Sequence, residues 1–260
     1  TEVLLFVQDG IGPETDEAIG LQLIDTGPKL GNRFVRLTLG ALRMLQAVQR
    51  ARPGVAHFHD PELIPAGVVL KFFGIKVIYD VHEDVPKQIL GKYYLPLVVR
   101  KPVARAIETV ERAAGRFFDA IVPATPEIAK RFPAPKTVVV QNFPIPGEFV
   151  IRDPVPYDSR PPHFAYIGGI TMARGAVEMV EAISRVSSGK TGLILAGAFS
   201  PANLQLEIEA LPGWDKVDFL GWADRKQVAN LLGQVRAGLV VLHPTKRYPD
   251  AYPVKIFEHM

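Results

Sequence analysis

The stretch FPIPGEFVIRDPVPYDSRPP, which spans Phe143–Pro162, divides the sequence into two parts of similar character. Six of its twenty residues are prolines. Proline has no backbone N–H to donate in a helix or an inner strand, so prolines at this density exclude both kinds of element. We interpret the stretch as a linker, and it predicts one domain at residues 1–150 and a second at residues 151–260.

Short apolar runs alternate with longer helical patterns on both sides of the linker. The predicted strands are Val3–Val7, Val55–His59, Lys76–Asp80, Ala120–Val122, Thr137–Gln141, His163–Ile167, Gly192–Ala196, Val217–Gly221 and Gly238–Leu242. The predicted helices are Arg33–Arg50, Pro61–Phe73, Pro96–Arg116, Pro126–Arg131, Arg174–Val186, Asn203–Leu211 and Arg225–Arg236. Because continuous apolar runs are typical of strands covered on both faces, the alternation predicts two α/β domains with parallel sheets. Ligands of such sheets bind beyond the carboxyl ends of the strands, so we expect the chemistry in the loops that follow them.

The composition limits the class of protein. With 48% hydrophobic and 22% charged residues, the 260-residue chain can bury a core and is not a disordered tail. It has no run of 18 apolar residues, so no transmembrane helix is predicted. The absence of cysteine excludes a disulfide framework and a thiol nucleophile and is compatible with the cytoplasmic location that we expect. The net charge of +3 is too small to indicate a nucleic-acid partner, and we predict none.

The first candidate loop is HFHDPELIP, which begins at His57. His57 and His59 lie two apart on a predicted strand and so point to one face, and Asp60 begins the next helix. Such a pair is typical of metal ligands, but no third ligand stands at a supportive spacing, so we predict no metal. The alternative is that Asp60 caps the helix and the histidines hydrogen-bond the neighbouring loops.

The second candidate loop is YDVHEDVP, where four polar side chains follow the next strand: Asp80, His82, Glu83 and Asp84. One interpretation is a solvated turn that caps the following helix. The other is that His82 faces a ligand, where a neutral imidazole could donate to a sugar hydroxyl or a phosphate oxygen.

The third and fourth candidates lie after the linker. In YIGGITMARG two glycines, Gly168 and Gly169, separate a strand from a helix that begins near Arg174, which is an arrangement suited to an anion but equally typical of a tight turn. In YPDAYPVKIFEHM, a helix predicted to begin at Pro253 has Asp250 before it and Glu258 in its second turn. Carboxylates accept paired hydrogen bonds from vicinal diols, so Glu258 suits a ribose; the alternative is simple helix-terminus electrostatics.

A basic segment spans residues 87–116. It holds seven Lys or Arg against two Glu, a net charge of +5, interleaved with apolar residues. That composition resembles an amphipathic surface that contacts anionic lipid. The alternative is an ordinary surface helix whose apolar stripe packs on the core.

These motifs together resemble the retaining glycosyltransferases of family 4, which have the GT-B fold. The resemblance runs from about Val55 to the end of the chain. It rests on the order and spacing of HFHDPELIPAG, KVIYDVHEDVP, DAIVPATPEIA, VVVQNFP, YIGGITMARG, LILAG, VDFLGW and YPVKIFEHM. The similarity is greatest to bacterial enzymes that build capsular, exopolysaccharide or O-antigen chains.

The resemblance implies two facing Rossmann-like domains with a cleft between them. It implies that a UDP- or GDP-linked sugar, bound mainly by the C-terminal domain, is transferred with retention to a glycan or lipid-linked acceptor on the N-terminal domain. The products would be cell-surface polysaccharides or glycolipids made at the inner face of the membrane. Neither a metal nor another cofactor is implied.

The resemblance also assigns residues. The family's E-x7-E motif falls on Asp250 and Glu258, with a shorter acid at the first position, and its phosphate-binding lysine is matched by Arg174. A second basic residue of the family stands at Gly169 here, for which Lys255 could compensate. Catalytic roles fall to His82 and Asp250. Donor binding falls to Gly168, Gly169, Arg174, Lys255 and Glu258, the nucleobase loop to Phe219, Leu220, Gly221 and Trp222, and the acceptor side to His59, Asp60 and Glu83.

Two departures from the family pattern leave other functions open. The region before Arg33 is shorter than the family's first βαβ unit, and the family's last strands and terminal helix would follow Met260, so we expect a partial C-terminal domain. A nucleotide-sugar 2-epimerase of the same fold and a non-catalytic sugar-nucleotide-binding protein are the alternatives. A nicotinamide-dependent oxidoreductase is disfavoured because its G-x-G-x-x-G fingerprint is missing.

Overall fold

The chain divides into two units, Thr1–Gln141 and Asn142–Met260. The structure is a computed structural model, and it describes residues 2–16, 20–28, 31, 35–91, 95–145, 151, 155–244 and 254–259. The boundary between the units lies nine residues before the one predicted from the linker, at residue 141 in place of 150.

Unit 1 contains two three-stranded sheets. The first pairs β1 (Val3–Val7) in parallel with β3 (Leu21–Asp25), and β3 in turn pairs antiparallel with β2 (Glu14–Asp16). The second is fully parallel, in the order β4 (Val55–Phe58), β5 (Lys76–Val81) and β6 (Ala120–Pro123).

The helices of unit 1 follow its strands, as a parallel sheet requires. They are α1 (Ala41–Ala51), α2 (Ile64–Phe72), α3 (Val85–Leu90), α4 (Leu97–Phe117) and α5 (Pro126–Ala129). A π-type turn at Arg36–Gly40 leads into α1, so that helix begins eight residues after the predicted start at Arg33, which lies outside the described residues. The helix α3 was not predicted.

The core of unit 1 lies around β5, whose Val77, Tyr79 and Val81 are almost fully buried. Glu111 of α4 is buried with them, and its carboxylate accepts hydrogen bonds from Tyr79 Oη and Arg131 Nη1, both at 2.8 Å. Burial raises the pKa of Glu111, although Arg131 opposes that shift. This polar network fixes α4 against the strand from which the candidate site projects.

Two predictions for unit 1 need correction. Strand β1 is not covered on both faces, because Val3 and Leu5 are exposed. Thr137–Gln141 does not form a strand: Val138 and Val140 donate to carbonyls of β6 at 3.0 and 3.1 Å, and then the pairing ends. The segment lies at the margin of the sheet, and its valines are 38% to 62% exposed.

Unit 2 has one four-stranded parallel sheet in the order β10-β7-β8-β9. Its strands are β7 (His163–Ile167), β8 (Gly192–Ala196), β9 (Val217–Gly221) and β10 (Ala237–Gly238). Its helices are α6 (Ala176–Ser184), α7 (Leu204–Glu209), α8 (Arg225–Gln234) and α9 (Val254–His259). Helices α6, α7 and α8 match predicted ones, and α9 begins one residue after the predicted start at Pro253, which lies outside the described residues. Strand β10 lies at the edge of the sheet among the described strands and ends four residues before the predicted Leu242.

The described part of the Pro-rich stretch carries one 3₁₀ turn, Tyr157–Ser159, and neither a strand nor an α-helix. It packs on unit 2. Arg160 donates to Val155 O at 2.8 Å and to Val235 O at 3.1 Å, and the Arg236 side chain returns a hydrogen bond to Arg160 O at 3.0 Å. This part of the linker is therefore anchored to unit 2.

The parallel α/β architecture predicted for both parts of the chain is confirmed. Of the helices in the described part of the chain, none has the length and the apolar composition that a bilayer crossing requires.

Candidate functional site

In unit 2 the polar side chains gather at the turn after β7. Gly168 has a φ of 122°, which L side chains rarely adopt. A Cβ built on it would overlap the Lys255 ammonium group, so any other residue at this position would displace that group. Because Gly168 has no side chain, it leaves room for the side chain of Lys255, which is 87 positions away in the sequence.

Contacts with β7 hold the Lys255 side chain beside Gly168. Its ammonium donates to Ile167 O and lies 5.0 Å from the centre of the Tyr166 ring. Burial lowers the pKa of Lys255 to about 8, with a further lowering by the Arg174 charge and an opposing effect of Glu258. A desolvated cation beside a second cation is a strong binding group for an anion.

Arg174 approaches the same turn from the other side. It ends the 3₁₀ turn Met172–Arg174, and its Nη1 donates to Gly169 O at 3.4 Å. Tyr166 Oη donates to the same carbonyl at 2.9 Å. The sequence analysis missed Tyr166 because its position in a buried strand gave no reason to expect that its hydroxyl reaches the following loop.

The backbone amide of Gly168 is not free to bind a donor phosphate. Its N–H donates to Ala196 O at 2.7 Å, so it is already used to join the ends of β7 and β8. Gly169 N–H has no backbone acceptor among the described residues. The groups of this turn that can contact a ligand are therefore mainly side chains.

Helix α9 supplies both Lys255 and Glu258. Glu258 follows Lys255 by three positions, so the two lie on one face of the helix, and Glu258 is half-buried. The helix is held by His259, which packs against Gly238, and by Phe257, whose ring meets that of Phe143 edge-on at 5.1 Å. Asp250 and Pro253 lie outside the described residues.

The predicted nucleobase loop divides into two parts. Phe219 is a core residue of β9, with ring contacts to Phe199 at 5.1 Å and Trp214 at 6.4 Å, so its expected place in the loop is wrong. Alternation along the strand turns Leu220 outward, and Trp222, just past the strand end, is 79% exposed. Gly221 ends the strand and accepts a hydrogen bond from Gly197 N–H at 2.6 Å.

A second pair near the turn was not expected from the sequence. Glu178 of α6 and His243, which follows β10, are in polar contact, with 2.8 Å between Oε1 and Nε2. The His243 N–H also donates to Ala173 O at 2.9 Å. This pair fastens the segment after β10 beside the turn that carries Arg174.

In unit 1 three histidines surround one carboxylate. Asp80 Oδ2 is 3.0 Å from His57 Nε2 and 3.4 Å from His59 Nδ1, and Asp80 Oδ1 is 3.5 Å from His82 Nε2. Asp80 is buried, whereas the three imidazoles are substantially exposed. Burial lowers the pKa of His59, an effect that Asp80 opposes, so this ring is neutral near pH 7.

The register of β4 against β5 explains the cluster. His57 lies opposite Ile78, so residues 57 and 59 share a face with residues 80 and 82. In the sequence, the histidines of β4 and the polar loop after β5 lie in separate motifs. Only the register shows that they form one site.

The other predicted acceptor-side residues lie around this cluster. Asp60 stands at the start of the 3₁₀ turn Pro61–Leu63, but its side chain does not cap that turn. Glu83 accepts a hydrogen bond from Gln88 Nε2 and is exposed. Asp84 caps α3 by accepting a hydrogen bond from Lys87 N–H at 3.2 Å. The expected helix cap in this loop is therefore Asp84, two residues after His82.

The basic segment lies mainly on α4. The side chains that this helix buries are Ala104, Glu111 and Ala114, together with Gly115, whereas Leu97 and Val98 are 76% and 85% exposed. The predicted alternative, a helix with its large apolar residues on the core, is therefore wrong for its first turn. Arg100 is used internally, since it donates to Leu95 O at 2.8 Å.

The fold is that of the GT-B glycosyltransferases. The chain superposes on sucrose-phosphate synthase from Thermosynechococcus elongatus with a TM-score of 0.74 and 16% identity, covering 98% of this chain and 68% of that one. It superposes on Anabaena HepE in complex with UDP and glucose with a TM-score of 0.63 and 12% identity, covering 93% and 74%. The lipopolysaccharide outer core galactosyltransferase WaaB matches with a TM-score of 0.53 and 14% identity, covering 92% and 62%.

A family model described as the glycosyl transferase 4-like domain matches residues 2–142, more than half of the chain. The chain therefore belongs to this family, and the predicted resemblance is confirmed. The match begins at residue 2, so it includes the region before Arg33 in which the sequence analysis saw a departure. A comparison with curated protein sequences gives no match. The chain spans 62% to 74% of the length of the three proteins named above.

Proposed function

We propose that this chain carries the donor and acceptor sites of a retaining glycosyltransferase that uses a nucleotide sugar. The observation that supports this most is the convergence of Lys255 and Arg174 on the turn after β7, with Glu258 three positions after Lys255. Two cations and one acid in this arrangement suit a pyrophosphate joined to a ribose.

In this proposal unit 2, predicted as residues 151–260, binds the donor. Lys255 and Arg174 take the pyrophosphate, and Glu258 accepts hydrogen bonds from the ribose hydroxyls. The exposed indole of Trp222 offers a face on which a base can stack. The structure of HepE contains UDP and glucose, which supports a UDP-linked sugar as the first donor to test.

The two cations also explain how departure of the nucleotide would be assisted. As the bond from the anomeric carbon to the phosphate oxygen breaks, negative charge develops on the diphosphate and positive charge on the sugar ring. Lys255 and Arg174 stabilise the first of these charges without reorganising, because packing already holds them. The oxygen of the acceptor hydroxyl then bonds to the same face of the anomeric carbon, and its proton passes to the departing diphosphate oxygen, which gives retention.

Unit 1, predicted as residues 1–150, binds the acceptor in this proposal. His59, Asp60 and Glu83 contact it, and His82 orients a sugar hydroxyl. The lowered pKa of His59 supports this role, because a neutral imidazole can both donate and accept. The likeness in fold to WaaB, a galactosyltransferase of the lipopolysaccharide outer core, supports a glycan or lipid-linked acceptor.

The first turn of α4 supports contact with an anionic membrane surface. Exposed Leu97 and Val98 lie near the exposed cations Lys101 and Arg105, and apolar side chains beside basic ones are typical of interfacial helices. Lys101→Glu with Arg105→Glu should abolish flotation with vesicles that contain anionic lipid. The control Lys190→Glu, on an exposed loop of unit 2, should float as wild type does, and equal flotation of all three proteins would contradict the proposal.

The donor assignment is tested by calorimetry with a panel of UDP-, GDP- and ADP-sugars. We expect one of these to bind at one site per chain. No binding by any of them would overturn the donor site. Product analysis with and without added acceptor then separates transfer from epimerisation, because an epimerase changes the donor sugar when no acceptor is present.

A further inference from the structure

The cluster around Asp80 has the composition of a metal site, which the sequence analysis rejected for want of a third ligand. Three side chains each offer one ligand atom, and these atoms lie within 4.8 Å of one another: those of His57, His59 and Asp80. The missing ligand is the aspartate, which the adjacent strand supplies. The sequence spacing could not show it, because Asp80 is more than twenty residues from both histidines.

The distances suit a single ion. In a tetrahedral zinc site with bonds of about 2.1 Å, neighbouring ligand atoms are about 3.4 Å apart. The contacts of Asp80 Oδ2 with His57 Nε2 and His59 Nδ1 are 3.0 and 3.4 Å. A small outward movement of the rings, in which the ion replaces His82 Nε2 as the neighbour of His59 Nδ1, would place an ion among the three atoms.

The donor types select the class of ion. Two imidazole nitrogens and one carboxylate oxygen suit first-row divalent metals such as Zn²⁺ and Co²⁺. Mg²⁺ and Ca²⁺ prefer sets made of oxygen ligands alone, which these residues do not provide. The exposure of both imidazoles gives an ion direct access from solvent.

We propose that His57, His59 and Asp80 form a binding site for a divalent transition-metal ion, with one coordination position left open. His82 is a positioning residue for this site. Its Nε2 lies within hydrogen-bonding distance of His59 Nδ1, at 2.5 Å, and 3.5 Å from Asp80 Oδ1, so it holds these two ligand side chains close together. The site belongs to unit 1, and it does not rest on the proposed glycosyl transfer.

Metal binding is measured directly on the full chain, freed of any affinity tag and treated with a chelator. We expect Zn²⁺ titrated in a calorimeter to bind at one ion per chain and Mg²⁺ to give no binding. Co²⁺ should give the intense visible absorption of a four-coordinate site. Absence of stoichiometric Zn²⁺ binding, or a Co²⁺ spectrum like that of the free hydrated ion, would overturn the proposal without any variant.

Variants then locate the site. His57→Gln, His59→Gln and Asp80→Asn should each weaken Zn²⁺ binding by at least about a hundredfold, and His82→Ala by about tenfold, as is typical of a residue that orients a ligand. His163→Gln, in unit 2, is the matched control and should bind as wild type does. Circular dichroism confirms that each variant is folded. Unchanged affinity in all three folded ligand variants would show that the ion binds elsewhere.

Discussion

Unit 1 and unit 2 both gather polar side chains where parallel strands end, yet the two clusters differ in charge. In unit 2 the turn after β7 brings Lys255 beside Arg174. In unit 1 the ends of β4 and β5 bring three imidazoles around the buried Asp80. The parallel sheet decides where a site forms, and the side chains at the strand ends decide whether it attracts an anion or a metal cation.

The two clusters also differ in how they are assembled. The cluster of unit 1 uses neighbouring strands, and their register alone aligns it. The cluster of unit 2 needs α9, which arrives from more than eighty positions further along the chain and fits only because residue 168 has no side chain. We therefore expect anion binding in unit 2 to be the more sensitive of the two to a single backbone change.

Gly168→Ala should give the largest effect. The added methyl group would displace the Lys255 ammonium, and a φ of 122° would strain the alanine by about 1–3 kcal/mol. We expect the affinity for UDP, measured by calorimetry, to fall by about a hundredfold or more.

The matched control for this variant is Gly189→Ala. A Cβ at Gly189 meets nothing within 4 Å, and its φ is not in the positive range. Its UDP affinity should equal that of the wild type. If Gly168→Ala also kept its affinity for UDP, the position of the Lys255 ammonium group beside residue 168 would have no part in binding the anion.

Lys255→Met should have the next largest effect. Methionine keeps much of the length and apolar contact of lysine but removes the charge, and a hydrogen bond to a charged group contributes about 1.5–3 kcal/mol. UDP affinity should fall by about ten- to a hundredfold, whereas Zn²⁺ binding by unit 1 should be unchanged.

Lys190→Met, on an exposed loop of unit 2, is the control for that charge and should keep wild-type affinity. The converse test uses Asp80→Asn, which should lose Zn²⁺ and keep UDP. If either Lys255→Met or Asp80→Asn lost UDP and Zn²⁺ binding to the same extent, the two clusters would not be separate binding sites.

Glu258→Gln should weaken UDP by about tenfold, because a carboxylate accepts stronger hydrogen bonds from the ribose hydroxyls than an amide does. Inorganic pyrophosphate has no ribose, so its affinity should stay the same or rise slightly. A parallel loss of both ligands, measured by calorimetry, would assign Glu258 to the phosphates or to the fold and remove it from the ribose.

The pH dependence should be the smallest of these effects. Lys255 has a pKa of about 8 in the folded protein, so it loses its charge as the pH rises through that value, and UDP affinity should fall several-fold over that range. Lys255→Met should show no such fall. A bound phosphate would raise this pKa, which limits the size of the effect.

The free energy of unfolding of the ligand-free protein should rise with pH over the range in which the affinity for UDP falls. The pKa of Lys255 is about 8 in the folded protein, and its ordinary value of 10.5 applies to the unfolded chain. Between pH 8 and pH 10.5 the unfolded chain therefore binds more protons at this residue than the folded protein does. The free energy of unfolding, relative to that of Lys255→Met, should therefore rise from pH 8 to pH 10.5. Urea denaturation at both ends of this range measures it, and a constant difference would contradict the burial of a charged lysine.

The sequence alone determined the parallel α/β class, most of the helices and the loops that hold the candidate residues. These features are local: apolar periodicity reports which face of an element is buried, and proline and glycine report where it ends. Local patterns fail where a neighbour decides the outcome. Thr137–Gln141 has the composition of a buried strand but lies at the margin of its sheet. The apolar pattern correctly placed Phe219 in a strand, whereas the resemblance assigned it to the nucleobase loop although its ring packs against the core.

Only the tertiary structure decided which of these residues meet. Asp80 joins His57 and His59 because β4 and β5 pair in one register, and Lys255 reaches Gly168 because α9 docks beside β7. Contacts of this kind link residues more than twenty and more than eighty positions apart. They depend on strand order and on packing between elements, and neither of these leaves a periodic signal in the sequence.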